Sequence, residues 1–123
     1  MGRADVTRWL ERYVAAWKSG DRDEIGDLFA ADARYRYHPY DEPVEGREAI
    51  VDSWLEDPDT PGTFEAGYEC FAVDADAAVA VGTSTYRDED GEVAQVFDNS
   101  FLLRFDPDGR CSDFTEWYMK RPS

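Results

Sequence analysis

His38 is the only histidine in the chain, and it stands directly before Pro39 at the end of the alternating run Arg34-Tyr35-Arg36-Tyr37. Imidazole is the side chain that ordinarily gains and loses a proton near neutrality, so a histidine at a pocket is a natural general acid or base. A histidine beside a turn is equally well read as a solvated surface residue. Glu116 is the second candidate. In an extended chain Phe114, Glu116 and Tyr118 share one face, while Trp117 and Met119 share the other. If the first face is the inner one, Glu116 is a carboxyl among aromatic rings, and desolvation raises its pKa into a range useful for proton transfer. If the second is inner, Trp117 and Met119 enter the core and Glu116 meets water. Asp98 and Asn99 compete for one inward position. Asn99 shares parity with Phe97, Phe101 and Phe105, which places it inside, either orienting a carbonyl or water or serving as a buried structural amide.

These residues need elements to hold them. Val6, Trp9, Leu10, Tyr13, Val14 and Trp17 follow helical spacing up to a stop at Gly20. Asp21 caps a second helix, Glu24 completes a capping-box pattern, and Ile25, Leu28 and Phe29 form its apolar face. A short strand is expected over Arg34 to Tyr40 and a third helix over Gly46 to Glu56. The breakers in Asp57-Pro58-Asp59-Thr60-Pro61-Gly62 mark a loop. From Thr63 the pattern changes to period two, with strands expected over Phe64 to Val73, Ala77 to Arg87, Val93 to Phe105 and Cys111 to Lys120. The expected class is α+β: a single domain, 1–123, in which three N-terminal helices pack on a strongly curved, mostly antiparallel sheet and enclose a pocket. Trp17, Tyr37, Trp54, Tyr68, Phe101, Phe114 and Tyr118 are expected to line it. Asp98 is kept as the alternative to Asn99. The acidic runs Asp41-Glu42 and Asp88-Glu89-Asp90 read as loop surface, and Arg34 and Arg36 as solvated strand residues.

Composition narrows the partners. A net charge of −15 supplies no basic stripe for nucleic acid and no attraction to anionic membranes. Two cysteines, Cys70 and Cys111, lack metal-ligand spacing and make no disulfide framework, which suits buried thiols in a reducing cytoplasm. No leader and no bilayer-spanning apolar run is evident. No metal or organic cofactor is expected.

The segments Arg12-Tyr13-Val14-Ala15-Ala16-Trp17-Lys18-Ser19-Gly20-Asp21, Leu28-Phe29-Ala30-Ala31-Asp32-Ala33, His38-Pro39 and Glu45-Gly46-Arg47-Glu48-Ala49-Ile50, with Arg104-Phe105 and Gly109 as later anchors, resemble the nuclear-transport-factor-2-like superfamily. That superfamily includes ketosteroid isomerase and SnoaL-like polyketide cyclases. Asp113-Phe114-Thr115-Glu116-Trp117-Tyr118 resembles the ending of an uncharacterised bacterial SnoaL-like group. The resemblance implies a pocket inside a cone, with the Tyr13 hydroxyl projecting into it and Phe114, Glu116 and Tyr118 along its wall. In ketosteroid isomerase an aspartate base works with a tyrosine and a protonated aspartate. The corresponding positions here are His38, Tyr13 and Phe101, so the tyrosine is kept and the two carboxyls are replaced. Strict alternation turns His38 outward. Counting back from Pro39 turns it inward, and a bulge before the proline reconciles the two. The superfamily also implies a homodimer through the outer sheet face, here with Thr83, Thr85, Thr115, Trp117 and Met119.

Two functional readings follow. The first is a cofactor-free isomerase, cyclase or dehydratase moving protons on a small apolar oxygenated molecule such as a polyketide, terpenoid or steroid-like compound. In it, His38 and Glu116 are acid and base, while Tyr13 and Asn99 polarise a carbonyl. The second is a non-catalytic ligand-binding or dimeric interaction module of the same fold.

Overall fold

Apolar spacing builds the first helix. Val6, Trp9, Leu10, Tyr13 and Ala16 fall on one face of α1 (Arg3–Ser19), and all five are buried. Gly20 ends it at φ 63°, a left-handed conformation that costs glycine nothing, and its N–H donates to the Ala16 carbonyl at 3.0 Å. Asp21 caps α2 (Arg22–Gly26) by accepting from the Asp23 and Glu24 N–H groups. Glu24 does not return the bond; its carboxylate accepts from Ser19 Oγ at 2.8 Å. The structure, a computed structural model, describes residues 1–60 and 62–122.

The second helix is shorter than its apolar spacing implies. Leu28 and Phe29 lie beyond it, and Phe29 opens β1 (Phe29–Arg36). The Leu28 carbonyl accepts from the Cys111 N–H and from Trp9 Nε1, so tertiary partners take a group that a longer helix would have used internally. The strand expected at Arg34 to Tyr40 therefore starts and stops earlier. Tyr37 and His38 leave the sheet in a bend. A two-residue strand, β2 (Val44–Glu45), had no signal in the sequence; it pairs antiparallel with β1 before α3 (Arg47–Glu56). In the loop that follows, Pro61 lies outside the described residues.

The period-two half forms the expected meander of β3 (Phe64–Asp74), β4 (Ala77–Arg87), β5 (Val93–Phe105) and β6 (Cys111–Lys120). The sheet order is β2-β1-β6-β5-β4-β3, with β1 joined parallel to β6 and every other pair antiparallel. Register shifts between Cys70 and Ala72, Tyr86 and Arg87, Arg104 and Phe105, and Phe29 and Arg34 are bulges or local irregularities, which bend strands and curl a sheet. The irregularity in β1 lies before Arg34, well ahead of the proline. Helix α1 lies against β3, so the helices cover the concave face of the sheet. Both cysteines are buried and free, and burial pushes the Cys111 thiol pKa up. No helix among the described residues is long and apolar enough to cross a membrane.

One glycine sets the packing of the meander. Gly82 pairs with Tyr68 on β3 and Asn99 on β5. A Cβ there would stand 2.1 Å from the Gly67 carbonyl oxygen and 2.5 Å from Tyr68 Cδ1. Backbone cannot yield as a flexible side chain does, so Gly82→Ala is expected to destabilise the fold by about 3 kcal/mol. A urea titration showing a change below about 0.5 kcal/mol, the level of a neutral surface substitution, would refute this.

Candidate functional site

The concave face of the sheet, closed over by α1 and α3, encloses an open cavity of about 690 Å³. Six of the seven tyrosines line it: Tyr13 from α1, Tyr35 and Tyr37 from β1 and the bend after it, Tyr68, Tyr86 and Tyr118 from the meander. Trp17, Trp54 and Phe97 add three more rings. Trp17 stacks on Phe64 at 4.2 Å and donates from Nε1 to Asp59 at the rim. Burial raises the pKa of Tyr13, Tyr35, Tyr37 and Tyr68, and carries Tyr86 to about 12, so these hydroxyls stay protonated.

Glu116 projects into this aromatic space from β6. Period two does the placing: Glu116 pairs with Phe101 across the ladder, while Trp117 and Met119 face outward at 44% and 74% exposure. Asn99 Nδ2 donates to Glu116 Oε2 at 2.9 Å, and Asn99 Oδ1 accepts from Ser84 Oγ at 3.2 Å. Among the described residues no other side chain bonds the carboxyl. Burial raises its pKa to about 7, against smaller opposing effects of the Asn99 hydrogen bond and the His38 charge. The carboxyl therefore changes charge near neutrality, the property that acid–base chemistry in a pocket requires.

Asn99 occupies the inward position and Asp98 does not. Asp98 faces solvent, where Arg121 binds it through two bonds of 2.8 and 2.9 Å. Its carboxyl pKa is lowered by that hydrogen-bonded guanidinium. Phe101 and Phe114 are also not on the cavity surface. They are fully buried one layer behind it, with Phe114 stacked on Tyr35 at 4.3 Å and 3° and Phe101 packed against Tyr13 and Tyr68. They set the positions of the tyrosines that ligands would touch.

His38 is half-exposed beside the mouth and does not line the cavity. Its ring lies between two partners: Nδ1 is 2.8 Å from Asp41 Oδ2, and Nε2 is 2.6 Å from the Tyr118 hydroxyl. In the neutral tautomer this pairing selects, Nδ1–H donates to the carboxylate and Nε2 accepts the phenol O–H. Tyr118 lines the cavity, so the histidine reaches the site through it. Asp41, expected as plain loop surface, is the third member of the chain. The local Asp41 N–H to His38 carbonyl turn, 3.1 Å, holds the two side chains together. Their three-residue separation was visible; a turn that aligns them was not. Ser84 also went unnoticed, since a lone serine in a strand carries no signal until its cross-strand neighbour is known. Arg34 and Arg36 turn away from the cavity, toward Glu45 and Asp113. Among the described residues no three His, Cys, Asp or Glu side chains gather as a metal-binding group.

Residues 10–114 match the family model of the SnoaL-like domain. Among solved structures, the chain is similar to an NTF-2 like protein of unknown function from Burkholderia xenovorans LB400. The TM-score is 0.74 at 17% identity, over 98% of this chain and 87% of that one. Likeness at that identity concerns the fold. In all, 356 solved chains match significantly; a fold by itself selects no activity. No curated protein matches significantly.

Proposed function

This chain belongs to the SnoaL-like domain family, and from that premise we propose that its cavity transfers protons on a small, apolar, oxygen-bearing molecule, with Glu116 carrying the proton. The observation behind this reading is a carboxyl with a pKa of about 7 inside an aromatic cavity. Near neutral pH both of its protonation states are populated. As carboxylate it removes a proton from carbon beside a carbonyl; the electron pair passes to the carbonyl oxygen. Tyrosine hydroxyls held in their protonated form, Tyr13 foremost, donate to that developing oxyanion. Return of the proton to another carbon completes an isomerisation. Its delivery to a departing hydroxyl completes a dehydration.

The roles of two expected groups shift. Asn99 is committed to Glu116 and Ser84, so it orients the carboxyl instead of meeting a substrate carbonyl. His38 is a positioning residue that, with Asp41, orients the Tyr118 hydroxyl at the mouth. The outer face of β6 supports the homodimer reading through Trp117 and Met119, although Thr115, expected in that patch, is buried.

The test needs no knowledge of the natural substrate. The protein is incubated in deuterated water with a panel of apolar ketones and enones, and exchange beside the carbonyl is followed by NMR. Exchange is expected for at least one ketone, and Glu116→Gln should slow it about 100-fold or more. Tyr118→Phe and His38→Gln should each slow it less, and the double variant should be no slower than Tyr118→Phe, because the histidine acts through the phenol. Exchange that is absent across the panel, or unaltered in Glu116→Gln, leaves the ligand-binding reading in its place.

A further inference from the structure

We infer that the cavity selects a positively charged organic molecule, an amine or quaternary ammonium whose cationic head sits among the tyrosine rings facing Glu116. This deepens the proposed reading by adding a cationic head to an otherwise apolar, oxygen-bearing occupant, and it rests on that cavity being the ligand site. The first argument is charge. Among the described residues the cavity is lined by Glu116 inside and by Glu56, Asp57 and Asp59 toward the rim, and by no lysine, arginine or histidine. An anionic ligand would meet four carboxyls and no counter-charge. The −15 net charge adds a field that draws cations inward and repels anions.

The second argument is the nature of the wall. Nine aromatic rings line the cavity, and an aromatic face carries negative charge density that attracts ammonium groups. A neutral molecule gains apolar contact from such a wall. A cation gains that contact and the electrostatic attraction as well. The third argument is the carboxyl itself. Only the Asn99 amide donates to Glu116 among the described residues, although an ionised carboxylate accepts about four hydrogen bonds. A ligand ammonium brings both the missing charge and, for an amine, the missing donors.

Isothermal titration calorimetry with three probes of similar shape tests this. They are benzyltrimethylammonium, its uncharged isostere neopentylbenzene, and the anion benzoate. The charge of the first does not vary with pH, so any pH effect on its binding belongs to the protein. The groups around Glu116 are Asn99, the six lining tyrosines and, behind Tyr118, His38. At about pH 8 the ammonium should bind about tenfold or more tightly than the isostere, and benzoate should not compete. In Glu116→Gln, and in the wild type at about pH 5.5, the preference should fall to about threefold or less. The variant's thermal melt confirms that it remains folded. Equal binding of ammonium and isostere, or a preference for benzoate, overturns charge selection while leaving proton transfer on a neutral substrate intact. Binding of none of the three also overturns charge selection, and exchange on the ketone panel decides the proton-transfer reading separately.

Discussion

Glu116→Gln is expected to leave stability little changed at about pH 4 and to raise it by up to about 3 kcal/mol above about pH 8. The carboxyl pKa in the folded protein is about 7, against 4.5 for the unperturbed group. The folded state therefore holds a proton that the unfolded chain releases earlier. A group raised in this way contributes its full stability below the unfolded pKa, and the contribution is lost as pH rises through the folded one. Each pKa unit corresponds to about 1.4 kcal/mol, which gives the size of the difference. Glutamine keeps an oxygen to accept from Asn99 and never acquires the buried charge. Urea denaturation of both proteins at several pH values measures it, and the quantity of interest is variant minus wild type, because the chain's many other acids titrate in both. Curves that run parallel from about pH 5 to 8 would remove Glu116 from the titrating role, and the proton-transfer reading with it.

Phe114→Ala should be the most damaging single truncation in the site's support. Phe114 is fully buried, lies face to face with Tyr35 at 4.3 Å, and stacks near Tyr13 at 5.7 Å. It also meets Phe101 at 4.8 Å and Trp9 at 6.4 Å. Removing the ring forfeits its transfer free energy and leaves a void between rings too rigid to collapse, at a cost of about 4 kcal/mol. That is a large part of the stability of a domain this size. Phe114→Leu should recover more than half of the loss. Equilibrium unfolding decides between this and a mobile interior: a loss below about 1 kcal/mol would mean that the tyrosine walls do not depend on the layer behind them.

Legibility followed the range of the interactions. The stripe from Val6 to Trp17 and the stop at Gly20 were readable because helix period and glycine conformation are local. The four meander strands were readable because turns such as Asp106-Pro107-Asp108-Gly109 punctuate a period of two. Parity also placed Asn99 inside, while for Glu116 it offered two opposite faces until the sheet was in view. Leu28 and Phe29 misled because apolar spacing is the same at a helix end and a strand start. The deciding bonds, from Trp9 and Cys111 to the Leu28 carbonyl, come from distant parts of the chain.

By itself the sequence determined the α+β class, the acidic field, the abundance of aromatic rings and which residues of a meander strand share a face, since all of these depend on composition or on neighbours a few residues apart. Only the tertiary structure decided that six tyrosines converge on Glu116, that Phe101 and Phe114 lie behind the cavity wall, and that His38 joins Asp41 to Tyr118. Those outcomes depend on the bulges, the parallel placement of β1 beside β6 and the pairing of residues far apart in the chain. No local period encodes that geometry.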